Sequence, residues 1–203
     1  MKNPFEIVSE FEQAVAEYTG APFAVAVDNC SNALFLCCKY FDVVEVVIPS
    51  HTYLSVPMSI VHAGGNVVFD DRDWKGAYQL LPYPIWDAAK RFHRGMYRAK
   101  GQFLCLSFHN KKILPIGRGG MILTDDEEAY RWFRRARYSG RGEKFYKDDD
   151  IFMLGWNMYM TPEQAARGLF LLSALPDDNA DQEEPGGYKD LKEFTVFKEV
   201  PEL

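Results

Sequence analysis

Ser107-Phe108-His109-Asn110-Lys111-Lys112 follows the apolar run Phe103-Leu104-Cys105-Leu106 and precedes Gly119-Gly120-Met121-Ile122-Leu123-Thr124. Apolar runs of this length, separated by a polar loop and a glycine pair, read as two strands of a buried sheet. Upstream, Ile85-Trp86 is a shorter apolar run that delivers Asp87 at its end, followed by Ala88-Ala89. Further out, Phe23 to Val27, Val43 to Ile48 and Val67-Val68-Phe69 read as strands, with Pro49 stopping the second.

Helical signals fall between these strands. Asn3 can cap a helix with Pro4 at its first position, and Phe5, Val8, Phe11, Val15 and Tyr18 recur at helical spacing before Gly20. Ser31 to Phe41 reads as a helix with Ala33, Leu34, Cys37 and Cys38 inward, and Tyr53 to Ala63 as another despite Pro57. Asp125 or Asp126 caps an arginine-rich helix ending near Ser139-Gly140. Gly140 to Asp150 is polar and reads as a loop. Thr161-Pro162-Glu163-Gln164 has the capping-box pattern and opens a helix through Leu169, Leu171, Leu172 and Leu175. Alternating strands and helices predict an α/β fold, a mostly parallel sheet with helices on both faces. Polar and glycine-rich residues gather at strand C-terminal ends, where such sheets place ligands. Residues 1–175 are expected to form one domain. Residues 176–203 open with the charged, turn-rich stretch Pro176 to Gly187 and are expected to be a loop and short tail.

The composition excludes several classes. The chain has 203 residues, 47% hydrophobic, enough for one substantial core. No apolar run is long enough for a transmembrane helix, and Glu6 makes the N-terminus acidic too early for a signal peptide, so a cytoplasmic location is expected. Cys30, Cys37, Cys38 and Cys105 lack the paired spacing of a zinc site, and Cys37-Cys38 read as buried thiols. A net charge of −6 argues against bulk nucleic-acid binding.

Five segments together resemble the DegT/StrS family of sugar aminotransferases, which use pyridoxal phosphate (PLP). They are Val27-Asp28-Asn29-Cys30-Ser31-Asn32-Ala33-Leu34, Ile48-Pro49-Ser50-His51-Thr52-Tyr53, Trp86-Asp87-Ala88-Ala89, the Ser107 to Lys112 loop with its Gly119 to Thr124 strand, and Gly155-Trp156-Asn157-Met158-Tyr159-Met160-Thr161 with Gln164-Ala165-Ala166. The likeness runs from about Phe5 to Leu175. It implies the PLP-transferase (aspartate aminotransferase-like) large domain in truncated form. About 28 residues follow Leu175, where the family usually carries a second domain, and the short stretch from Asp71 to Trp86 suggests a lost strand–helix unit.

The resemblance also implies roles. Lys112 would form the Schiff base with PLP; Lys111 stands beside it as the alternative, and lysine here argues against the family's dehydratase variants. Asp87 would pair with the pyridinium nitrogen and keep the ring an electron sink; its plain alternative is a helix cap. Cys30 and Ser31 would form the phosphate turn at a helix N-terminus, with Ser31 as an ordinary cap the alternative. Tyr53 would stack on the ring, and Ser107 would bond the phosphate. Lys90 stands where the family has glutamine near the phenolate oxygen, or points to solvent with Arg91. Asn157 would reach the phosphate of a partner subunit, implying a homodimer with shared sites, while Tyr159 replaces the family's arginine.

Two basic clusters remain: Lys90 with Arg91, Arg94, Arg98 and Lys100, and Arg131 to Lys144 with interleaved aromatics. They read as solvated faces or as a pocket for an anionic substrate. The expected activity is transfer of an amino group from an amino acid, by family analogy glutamate, to a keto sugar on a nucleotide. A non-catalytic relic, PLP-binding or PLP-free, and a PLP enzyme acting on a modified nucleotide are the rival readings.

Overall fold

The computed structural model describes residues 5–142 and 144–198. Helix α1 (Glu6–Thr19) buries Val8, Phe11, Val15 and Tyr18 and stops at Gly20, whose φ of 78° is left-handed. The expected cap, Asn3 with Pro4, lies outside the described residues. Then come β1 (Phe23–Val27), α2 (Cys30–Tyr40), β2 (Glu45–Pro49), α3 (Ser55–His62) and β3 (Asn66–Asp70). The chain continues through β4 (Tyr78–Leu80), β5 (Ile85–Asp87), β6 (Phe103–Ser107), β7 (Gly120–Thr124), α4 (Glu127–Ala136) and α5 (Pro162–Leu172).

Five strands form a sheet in the order β1-β7-β6-β5-β4, and β2 pairs with β3. The expectation of a mostly parallel sheet is corrected to a mixed one. Strand β7 runs antiparallel to both β1 and β6, and β4 runs antiparallel to β5, whereas β5–β6 and β2–β3 are parallel. The physical reason lies in the connections. β7 returns from β6 through a loop that forms no helix to carry the chain over the sheet, and β4 turns directly into β5 through Leu81 to Pro84. Where the sequence suggested a lost strand–helix unit, the chain therefore builds a hairpin. An antiparallel bridge from Val47 to Leu81 joins β2 to the β4 edge. Hence β1, β2, β3, β5 and β6 all point the same way, and their C-terminal ends lie on one side.

Alternation along the strands divides two cores. One face of the sheet, with Val25, Val27, Phe103, Cys105 and Ile122, packs on α2, α3 and α4 through Leu34, Ile60 and Phe133. The other, with Ala24, Ala26, Leu104, Leu106 and Met121, packs on α1 and α5 through Phe11, Val15 and Ala165. Helices cover both faces.

Local capping differs from the expectation in one place. Helix α2 is capped by Asn29, whose side chain accepts from the Asn32 N–H at 2.8 Å, so Ser31 is not the cap. Asp126 caps α4, and Thr161 with Gln164 makes the full capping box on α5. The stretch after residue 175 folds back on the molecule. Leu191 and Phe197 are buried in the first core, and the Leu191 N–H bonds Ser50 O at 3.0 Å. Among the described residues no helix is long and apolar enough to cross a membrane.

Candidate active site

A cavity of about 620 Å³ opens where β1, β5 and β6 end. That lies within the roughly 300–1,000 Å³ usual for small-molecule sites. Its lining includes Cys30, Ser31, Tyr53, Asp87, Lys90, Ser107 and Lys112. Seven of the residues expected from sequence thus converge from segments up to 82 positions apart (112 − 30). Asn157 does not line this cavity; it is exposed, in a bridge with Tyr138.

Asp87 ends β5 and is buried. One carboxylate oxygen accepts from the Ala89 N–H at 2.9 Å, the other from the Tyr78 hydroxyl at 3.0 Å. Burial pushes its carboxyl above the ordinary aspartate range, against these bonds and the nearby Lys112 and Lys90 cations. Tyr78 lies opposite Asp87 in the β4–β5 register, and its hydroxyl also meets Thr52 Oγ1 at 2.7 Å. Burial, then the Asp87 charge, pushes the Tyr78 phenol up, so it stays a donor. Sequence reading missed Tyr78 and Thr52. The signal was Pro82-Tyr83-Pro84, a turn that sets β4 against β5.

Lys112 sits in the loop after β6, where its N–H closes a turn onto His109 O at 2.8 Å. It is half-buried whereas Lys111 is exposed. Burial, then the neighbouring Lys90 cation, holds the Lys112 amine below the usual lysine range, with Asp87 opposing.

The Asn29-Cys30-Ser31 turn enters α2 beneath β7. A Cβ on Gly120 would stand 2.5 Å from the Asn29 carbonyl carbon and 2.7 Å from the Cys30 nitrogen. Glycine is what lets the two backbones approach. The Cys30 thiol turns onto Cys105 O at 3.5 Å, and burial keeps it protonated. Ser31 Oγ meets Ser55 Oγ at 2.6 Å. Tyr53 stands at the rim, 55% exposed.

Lys90 does not point to solvent. It is 5% exposed, and its Nζ donates to Glu184 Oε2 at 2.5 Å. Glu184 was missed by sequence reading, as were Trp74 and Tyr188, which stack at 6.0 Å beside it. A signal was present in the charges: Lys90, Arg91 and Arg94 are matched by Glu184, Asp181 and Asp177. The first basic cluster is therefore in large part tied to the acidic stretch after residue 175. In the second, Arg137 is buried against Glu12 and Ala26 O, and Arg131 pairs with Glu127.

The profile of the DegT/DnrJ/EryC1/StrS aminotransferase family matches residues 3–88 and 93–191. The chain belongs to this family. It is 28% identical to the spore coat polysaccharide biosynthesis protein SpsC of Bacillus subtilis, over 97% of this chain and 63% of that protein. It is 27% identical to the GDP-perosamine synthase of Caulobacter vibrioides, over 91% of this chain and 61% of that protein. The chain thus spans about three-fifths of the length of these relatives. A solved DegT DnrJ EryC1 StrS aminotransferase from Brucella abortus shares the fold, with a TM-score of 0.75 and 19% identity over 97% of this chain and 79% of that one.

Proposed function

We propose that this chain acts as a PLP-dependent aminotransferase, moving an amino group from an amino acid, with glutamate the expected donor, to a keto sugar carried on a nucleotide. The observation that carries the reading is a buried carboxylate, Asp87, and a half-buried amine of lowered proton affinity, Lys112, lining one cavity at the sheet's C-terminal edge. The residues fit the cofactor. Asp87 uses only two of the roughly four acceptor directions of a carboxylate, on Tyr78 and Ala89, so it can take a further cationic N–H. The start of α2 with Ser31, and Ser107 across from it, offer donors to a phosphate. Tyr53 is the aromatic wall. When bound, PLP supplies a carbonyl carbon for an amine and a ring that draws off carbanion charge.

The chain's own residues would do the rest. Tyr78, Thr52 and the Ala89 N–H would hold Asp87 in place for the ring nitrogen. Lys112, held below the usual lysine range by burial and by Lys90, keeps more neutral amine at physiological pH. Lys112 would be the amine that holds the cofactor and, when free, the base that moves a proton at the substrate carbon. Asn157 is read as an arm to a partner subunit's site, which its exposure outside this cavity supports. A homodimer in the cytoplasm is the proposed setting. The relatives' names, including a GDP-sugar synthase, support the nucleotide-linked acceptor.

The test is chemical trapping. Borohydride added to the protein with PLP should leave a pyridoxyl group on the peptide carrying Lys112, and Lys112→Ala should abolish it. Label on Lys111 or Lys90 instead, or none, would overturn the assignment.

A further inference from the structure

Lys90 occupies a position that its neighbours explain only in part. A buried ammonium is costly unless an anion meets it. Here the anion is Glu184, 2.5 Å away, with Glu183 O at 3.3 Å as a further acceptor and the Tyr188 ring 5.6 Å from Nζ. Glu183, Glu184 and Tyr188 belong to a stretch without helix or strand, and the Glu184 side chain keeps 31% exposure. Lys90, Trp74, Glu184 and Tyr188 line the cavity of Asp87 and Lys112, and they also line a neighbouring cavity of about 290 Å³. They form the partition between the two. Arg118 and Lys111 on the same cavity are placed differently. Arg118 is exposed and paired with Asp28, and Lys111 is exposed. Lys90 alone among these is buried and neutralised by a carboxylate that reaches in from irregular chain.

A side-chain carboxylate that neutralises a buried cation inside a ligand cavity stands where an acidic ligand group would stand. We infer that Lys90 anchors a carboxylate of a small substrate, and that Glu184 is an internal counter-ion which that carboxylate displaces. The inference rests on reading this cavity as the substrate site. The exchange conserves charge at Lys90: one carboxylate leaves for the rim, where Glu184 is already partly in water, and another arrives. Moving Glu184 aside also opens the partition toward the second cavity, which gives the ligand room beyond the Lys112 side. Lys90 stays the fixed element because its backbone is held to the irregular stretch 177–188, a strap across this side of the site, the Gln182 N–H bonding Lys90 O at 2.9 Å. The strap is fastened independently by Arg91 to Asp181 at 2.6 Å and Arg94 to Asp177 at 2.6 Å. Glu184 can therefore swing without the strap detaching.

The test is calorimetric titration of the PLP-free protein with glutarate, and separately with inorganic pyrophosphate, at neutral pH and low salt. Glu184→Gln removes the competitor and should bind glutarate about tenfold more tightly than the wild type, a change of about 1.4 kcal/mol. Glu184→Asp, which withdraws the charge by one methylene, should move the same way by less. Lys90→Gln, and the double variant with Glu184→Gln, should lose glutarate binding, with circular dichroism unchanged. Equal or weaker glutarate binding by folded Glu184→Gln, or none by any variant, would sink the idea. A gain for pyrophosphate alone would overturn the carboxylate assignment in favour of a phosphate-bearing ligand. No titration contains cofactor, so failure here leaves trapping at Lys112 standing, and failure of trapping leaves these affinities interpretable.

Discussion

Asp87 illustrates the conflict that a buried carboxylate imposes on its surroundings. Burial raises its carboxyl above the ordinary aspartate range. The folded chain without cofactor therefore holds this proton more tightly than the unfolded chain. That contribution is fully present below the ordinary aspartate range and is lost as pH rises through the raised value, leaving a desolvated charge. Asparagine would remove the charge and still be accommodated, because the Tyr78 hydroxyl can accept from its amide and donate to Thr52. PLP-free Asp87→Asn should thus have a urea midpoint at pH 8 equal to or above the wild type, with the advantage fading in acid. Its half-transamination rate should fall by orders of magnitude. A lower midpoint at pH 8 would show that the carboxylate is a structural cap on Ala89.

At the scale of elements, the site depends on how closely its supports approach one another. Helices α1 and α5 meet where Gly168 faces Phe11: a Cβ there would lie 2.5 Å from the ring. Phe11 is fully buried and cannot retreat easily, since the Phe108 ring is 5.5 Å behind it. Phe108 follows Ser107 and begins the Lys112 loop, so crowding at Gly168 would be felt there. Gly168→Ala should cost about 1–3 kcal/mol in urea unfolding, as overpacking usually does. It should also weaken PLP binding. Unchanged stability would mean the helices slide apart freely. The hairpin β4–β5 is the other decisive element. Replacing a crossover by a direct turn reverses β4, and that reversal brings the Tyr78 hydroxyl onto Asp87.

The whole molecule leaves one expected site residue outside its own cavity. Asn157 lies beside Tyr138, near the loop where Phe145, Tyr146, Phe152 and Leu154 are all exposed. Exposed apolar side chains of this kind often mark association. If the arm serves a partner, Lys112→Ala and Asn157→Ala each spoil a different part of a shared site. Mixed dimers would then hold one site with both defects and one with neither. Mixing the two inactive proteins should restore activity toward one working site per heterodimer, and sedimentation should show a dimer that tightens with PLP. A monomer that binds PLP, without recovery on mixing, would withdraw Asn157 from the site.

Much was legible from local chemistry. Helical spacing placed α1, the Thr161 box opened α5, and alternation with strands announced helices on both sheet faces. Asp87 and Ser107 stood out as candidates because each ends an apolar strand, where a polar group is costly without a partner, and Lys112 because of its spacing from Ser107 in the family resemblance. Strand direction was not readable, since parallel and antiparallel strands share the same apolar pattern and only the length of the connection separates them. Nor was the fate of Lys90. The same residue could face water beside Arg91 or the cavity, and its partner Glu184 stands 94 positions away in a stretch whose composition suggests only a loop. What the sequence by itself determined was which helices and strands form and which candidate residues stand at their ends, because propensity, capping and burial act locally. What only the tertiary structure decided was how those charges are paired, because a carboxylate and an ammonium compensate each other through space and not along the chain.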